Sequence, residues 1–168
     1  MITVSGISET IQRLARAREG RDDNSEKLKI VLEKIARLGV SVAWQHYSDV
    51  PYDGNSDFDV DWQENGDNSV CVIAKGKDIL FLEFGTGAKF AQPYPNDEGF
   101  EPVFKAGDWS LSPQGKGQWN NPKGWYYTDE SSGQKSIHSY GSPPARGMYE
   151  AKKEMKNNVD RIIREVFG

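Results

Sequence analysis

The apolar residues of this chain change their period twice, and that change limits the fold more than any other feature. From Ser25 to about His46 or Tyr47 a long apolar stripe is marked by Leu28, Val31, Leu32, Ile35, Leu38, Gly39, Val42 and Ala43. This is the three-and-four spacing of a helix that buries one face. Between Asp57 and Trp62 the pattern becomes strict alternation, with Phe58, Val60 and Trp62 on one face of a strand and Asp57, Asp59 and Asp61 on the other. Ser69 to Ala74 and Ile79 to Phe84 read as two more strands, giving three consecutive antiparallel strands. Helical spacing then returns in Met148, Ala151, Met155, Val159, Ile162 and Val166. The expectation is an α+β fold: a small, mainly antiparallel sheet packed by a long helix from the N-terminal half and a C-terminal amphipathic helix.

Local signals place the boundaries. Ile7 to Arg18 fits a short amphipathic helix, and Ser25 is a candidate N-cap for the long helix because its hydroxyl can accept an orphaned backbone N–H. Pro51 stops that helix, and Asn65-Gly66 has hairpin-turn chemistry. Trp125 to Thr128 and Ser136 to Tyr140 read as a short strand and its return. Pro143 and Pro144 suit a helix entrance, where a missing N–H is tolerated, so the last helix is expected over Ala145 to Phe167. At 168 residues the chain reads as a single domain, 1–168. Residues 88–124 form a long aromatic, Gly/Pro-rich loop insertion.

Composition excludes several function classes. A net charge of −4 lacks the basic excess of a nucleic-acid binder, and no apolar run approaches the roughly 20 residues of a membrane span. Cys71 is the single cysteine and reads as a buried structural thiol. Asp57, Asp59 and Asp61 fail as a calcium loop, because Trp62 and Asn68 stand where glycine and a bidentate glutamate are required. His46 and His138 have no partner at zinc-ligand spacing. Gly115-Lys116-Gly117 is too short for a phosphate-binding loop, and Ser142 stands before prolines rather than in a nucleophile elbow. No catalytic residue, cofactor site or metal site is expected, and the chain reads as non-enzymatic.

Charge is nevertheless uneven. Asp49 to Asp67 is acidic without a basic residue, while the stretch from Arg146 onward is mildly basic. Such patches can attract their opposites on a neighbouring copy. The loop aromatics must also find apolar cover. Parts of Phe90 to Trp119 are expected to be mobile in the free subunit and protected in an assembly. Trp109, Trp119, Trp125, Tyr126 and Tyr127 could alternatively stack on sugar rings.

The segment Leu80-Phe81-Leu82-Glu83-Phe84-Gly85-Thr86-Gly87 ends its alternation on a glycine turn. Together with the Pro-led final helix, Ser142 to Phe167, it resembles the tail-completion (head–tail joining) proteins of long-tailed bacteriophages. These often go under the descriptions putative tail component or minor capsid protein. Relative to that pattern, Val50-Pro51-Tyr52-Asp53-Gly54 is a partial match and Gly85 to Gly141 reads as an insertion. The resemblance implies a virion structural protein at the phage neck, made in the bacterial host cytoplasm. It would self-associate into a ring and contact other neck and tail proteins. The alternative is a monomeric module that recognises carbohydrate or a cell-surface partner through the aromatic loop. Glu83, Phe84, Gly85, Thr86, Gly87, Trp109 and Trp119 are the candidate interaction residues. Glu83 is expected to bind the N–H groups of the glycine turn or to face a partner. On that reading Glu83→Gln weakens assembly and leaves the melting temperature nearly unchanged.

Overall fold

The computed structural model describes residues 2–4, 23–50, 57–65, 69–86, 123–129 and 134–168. In chain order the elements are β1 (Ile2–Val4), α1 (Asp23–Asp49), β2 (Phe58–Glu64), β3 (Val70–Gly76), α2 (Ile79–Phe84), β4 (Trp125–Asp129), β5 (Gln134–Ser139) and α3 (Gly147–Phe167). The α+β class is as expected. The expected helix over Ile7 to Arg18 and nearly all of the 88–124 loop lie outside the described residues.

Strands β1, β3 and β2 form an antiparallel sheet in that order, with β3 central. Its register sets Val60 opposite Ala74 and Trp62 opposite Val72, while Ile2 pairs with Ala74 from the other side. The β2–β3 connection is closed by the Asn65 N–H donating to the Ser69 carbonyl at 2.8 Å. β4 and β5 make a separate antiparallel ribbon in which Tyr126 lies opposite His138. No helix among the described residues is long and apolar enough to cross a membrane.

Helices α1 and α3 pack on each other, and α1 also packs on β2 and β3. The core joins Val31, Ile35, Ala43 and Tyr47 of α1 to Val60, Val72 and Ala74 of the sheet. Met148, Ala151, Met155, Val159 and Ile162 of α3 complete it. The alternation of β2 survives: Val60 is buried, whereas Asp59 and Asp61 are exposed on the opposite face. Cys71 is buried and free.

Three expectations need correction. Ser25 is not the N-cap of α1, which begins two residues earlier at Asp23 and runs on to Asp49. The last helix begins at Gly147 rather than Ala145, because Arg146 takes a left-handed conformation (φ 55°) that ends the preceding extended segment. The third correction is the largest. Ile79 to Phe84 is a helix, not a strand. A strand leaving β3 through the Lys77–Asp78 turn would have to pair with β3, and both edges of β3 are already taken by β1 and β2. As a helix, the segment instead turns Ile79, Leu82 and Glu83 toward the interior at positions i, i+3 and i+4.

Candidate functional site

The first helical turn of α3 presents backbone N–H groups with no partner inside the helix. A Ser, Thr, Asp or Asn at the N-cap would normally accept from them. Here the N-cap is Arg146, which makes no side-chain cap bond. Its place is taken from far away in sequence. Glu83 Oε2 accepts the Met148 N–H at 3.0 Å, and Oε1 accepts the Tyr149 N–H at 3.2 Å. The Tyr47 hydroxyl of α1 donates to the same Oε2 at 2.7 Å.

Glu83 has no exposed surface. Burying a carboxylate is costly unless charge and hydrogen bonds compensate. Three donors and the positive end of a 21-residue helix do so here. The result is a carboxylate lock that joins α1, α2 and α3 at one point.

Backbone bonds extend the lock on both sides. The Ala145 N–H donates to the Leu82 carbonyl at 2.8 Å and the Arg146 N–H to the Glu83 carbonyl at 3.3 Å. Farther out, the Thr86 N–H donates to the Ser142 carbonyl at 2.9 Å, and the Ser142 N–H donates to Thr86 Oγ1 at 3.0 Å. Ser142, set aside above as a nucleophile because it stands before prolines, is a buried member of this clasp. In the β4–β5 ribbon, the Lys123 carbonyl lies 2.9 Å from His138 Nε2.

The sequence-derived candidates divide clearly. Glu83, Phe84 and Gly85 are buried and Thr86 is half-buried. Glu83 and Thr86 make bonds of the lock, and Gly85 lies against Ser142 and Pro144. Glu83 engages the amides of α3, while the described amides of the glycine turn donate elsewhere, Gly85 to the Phe81 carbonyl and Thr86 to the Ser142 carbonyl. The neutral melting temperature expected for Glu83→Gln does not follow from this geometry. Gly87, Trp109 and Trp119 lie outside the described residues. Tyr47 and Gly147 were not anticipated. The available signal was Arg146, a residue unable to cap, standing where a capping residue belongs. Among the described residues no group of three His, Cys, Asp or Glu side chains is placed to hold a metal ion.

Tyr47 serves the lock in two ways. Its hydroxyl bonds Glu83, and its ring fills the space over Gly147, where an added Cβ would sit 2.7 Å from the ring and 2.9 Å from the Ala43 carbonyl. Tyr47→Phe keeps the packing and removes one hydrogen bond to a buried charge, so it should cost about 2 kcal/mol in urea unfolding. Gly147→Ala forces the ring aside and should cost about 1–3 kcal/mol. An unchanged urea midpoint for Tyr47→Phe would show that the bond contributes nothing net.

Comparison with protein-family models, with curated proteins and with solved structures finds no match to this chain.

Proposed function

We propose that this chain is a non-enzymatic structural protein of the bacteriophage neck that takes part in tail completion and head–tail joining through ring-type contacts between subunits. One observation carries the reading. The two segments that hold the resemblance, Ile79 to Gly87 and Ser142 to Phe167, meet in the fold through the described residues Leu82 to Thr86 of the first. Glu83 caps α3, and Thr86 is clasped to Ser142. The glutamate supplies the cap, the glycine permits close approach and the threonine fixes the segment entering the helix. The resemblance therefore lies in residues with a mechanical role. A joint of this kind holds three helices rigidly, which suits a part whose many identical contacts must add around a symmetry axis.

The test is genetic and visual. In the phage or prophage that encodes the chain, disrupting its gene should leave filled heads and separate tails, with infectious particles restored by the gene in trans. A tagged copy should be seen at the neck in electron micrographs. Normal joined particles from the disrupted genome would overturn the reading.

The carbohydrate alternative draws on a different observation. On the β4–β5 ribbon Tyr126 is 71% exposed, and its ring lies 4.7 Å from that of His138, which in turn lies 4.6 Å from Tyr140. Flat exposed rings are suitable for stacking on sugars. A glycan-array signal lost in Tyr126→Ala would favour this reading over the neck.

A further inference from the structure

The two layers of this fold carry different chemistry on their outer sides. On α1, Ile30, Lys34, Arg37, Ser41 and Trp44 are all exposed and follow one another at spacings of four, three, four and three residues. They form one row on the side of the helix turned away from Val31, Ile35, Ala43 and Tyr47. The row is basic in its middle and apolar at its ends. Ile30 is 41% and Trp44 is 55% exposed.

Two of the four large apolar residues exposed among the described residues thus belong to this row. Trp and Arg are the side chains most enriched at the centres of protein interfaces. On the sheet layer, the face of β2 turned away from Val60 shows Asp59 and Asp61, with Asp57 just before the strand, all exposed. Trp44, at the end of the α1 row, has its ring 6.4 Å from that of Phe58 in β2. Lys75, opposite Asp59 in the register, is the basic neighbour of this aspartate row. Asp61 is held in place by the Trp62 N–H, which donates to it at 2.7 Å.

We infer that copies of this chain associate head to tail, with the outer row of α1 in one copy docking on the aspartate row of β2 in the next. Charge complementarity selects the occupant: Lys34 and Arg37 face out on one layer and the aspartates on the other. Their spacings correspond, since side chains three apart on a helix are separated by roughly 5–6 Å and those two apart on a strand by roughly 7 Å. The partners these cations now have are no obstacle. Lys34 lies 3.6 Å from Glu165, and Arg37 lies 2.8 Å from Glu33, each in a half-exposed pair. Such pairs are weak enough to rearrange.

Helix α3 is the poorer counterpart. Its exposed cations are interleaved with acids: Lys153 bonds Glu150, which raises the lysine pKa above its ordinary value, and Arg161 bonds Glu165. Because the two complementary faces are different patches of one subunit, the contact is heterologous and repeats from copy to copy. Closure of that repeat into a ring rests on the neck reading; the contact itself does not.

Sedimentation velocity on the full chain tests it. The wild type should associate at about 50 mM salt, and its Kd should weaken at least about tenfold by about 500 mM, where exposed charges are screened. Asp59→Lys/Asp61→Lys and Lys34→Glu/Arg37→Glu should each sediment as an 18.9 kDa monomer. Both variants should keep the wild-type circular dichroism, since the substituted side chains are exposed. Mixed in equal amounts they should reassociate, because each then presents the complement of the other's altered face. Trp44→Ala should weaken wild-type association about tenfold or more. The proposal is overturned if the wild type stays monomeric at low salt, or if the mixture fails to reassociate. It is also overturned if either variant associates like the wild type. That last result would move the interface elsewhere and leave the neck reading intact, which stands or falls on the particles of the disrupted genome.

Discussion

Glu83→Ala should be among the most damaging single substitutions in the described part of this chain, lowering stability by about 3–5 kcal/mol. The loss has two sources. The Met148 and Tyr149 N–H groups, at 3.0 and 3.2 Å from the carboxylate, would be left without their acceptor, and so would the Tyr47 hydroxyl. A buried donor without an acceptor costs about 1–3 kcal/mol. The negative charge opposing the positive end of α3 would also disappear, worth up to about 2 kcal/mol in a buried setting. For a domain of this size the thermal midpoint should fall by roughly 2–4 °C per kcal/mol.

Glu83→Gln separates charge and bonding from packing, because it keeps the shape. Both carboxylate oxygens accept from backbone N–H groups, so whichever way the amide is oriented its NH₂ must face one of them. A loss of about 2–3 kcal/mol is expected. The Met148 and Tyr149 amides should also exchange faster than those in the middle of α3. A Glu83→Gln protein with a wild-type midpoint and unchanged exchange at these amides would falsify the lock.

The pattern of side chains made some of this architecture legible and left other parts hidden, for identifiable reasons. α1 and α3 are long enough that the helical period is unmistakable, and the aspartates of β2 alternate with residues that are buried or half-buried. Segment Ile79–Phe84 is only six residues long, so it fits two templates at once: Leu80, Leu82 and Phe84 alternate, while Ile79, Leu82 and Glu83 repeat helically. What decides between them is the occupancy of β3, and that depends on β1, three residues at the other end of the chain. No local pattern carries that information. Glu83 could be singled out as a carboxylate among apolar neighbours beside a glycine turn. Its partners could not, because Met148 and Tyr149 are 65 and 66 residues away. Tyr47 marked only where α1 should end, although its hydroxyl is one of the three donors that make a buried glutamate tolerable.

Gly85→Ala should cost about 3–5 kcal/mol, nearly as much as removing the lock itself, although the substitution adds a single methyl group. Gly85 ends α2 at φ 75° and ψ 176°, a conformation essentially confined to glycine. Strain of that kind accounts for about 1–3 kcal/mol. The remainder is a clash with backbone. An added Cβ would lie 2.8 Å from the Pro144 nitrogen and 2.9 Å from the Ser142 carbonyl oxygen. These atoms cannot retreat cheaply. Ser142 is bonded in both directions to Thr86, and the chain one residue beyond Pro144 is held by the bond from Ala145 to the Leu82 carbonyl. The substitution should therefore open the clasp between Thr86 and Ser142 before it disturbs α1. In urea the midpoint should fall, and exchange at the Thr86, Ser142 and Ala145 amides should quicken first. Glu83→Gln and Gly85→Ala act on one joint, so their combined effect should fall short of the sum by about 0.5–3 kcal/mol. Strict additivity would show that the glycine and the glutamate stabilise separate parts of the molecule.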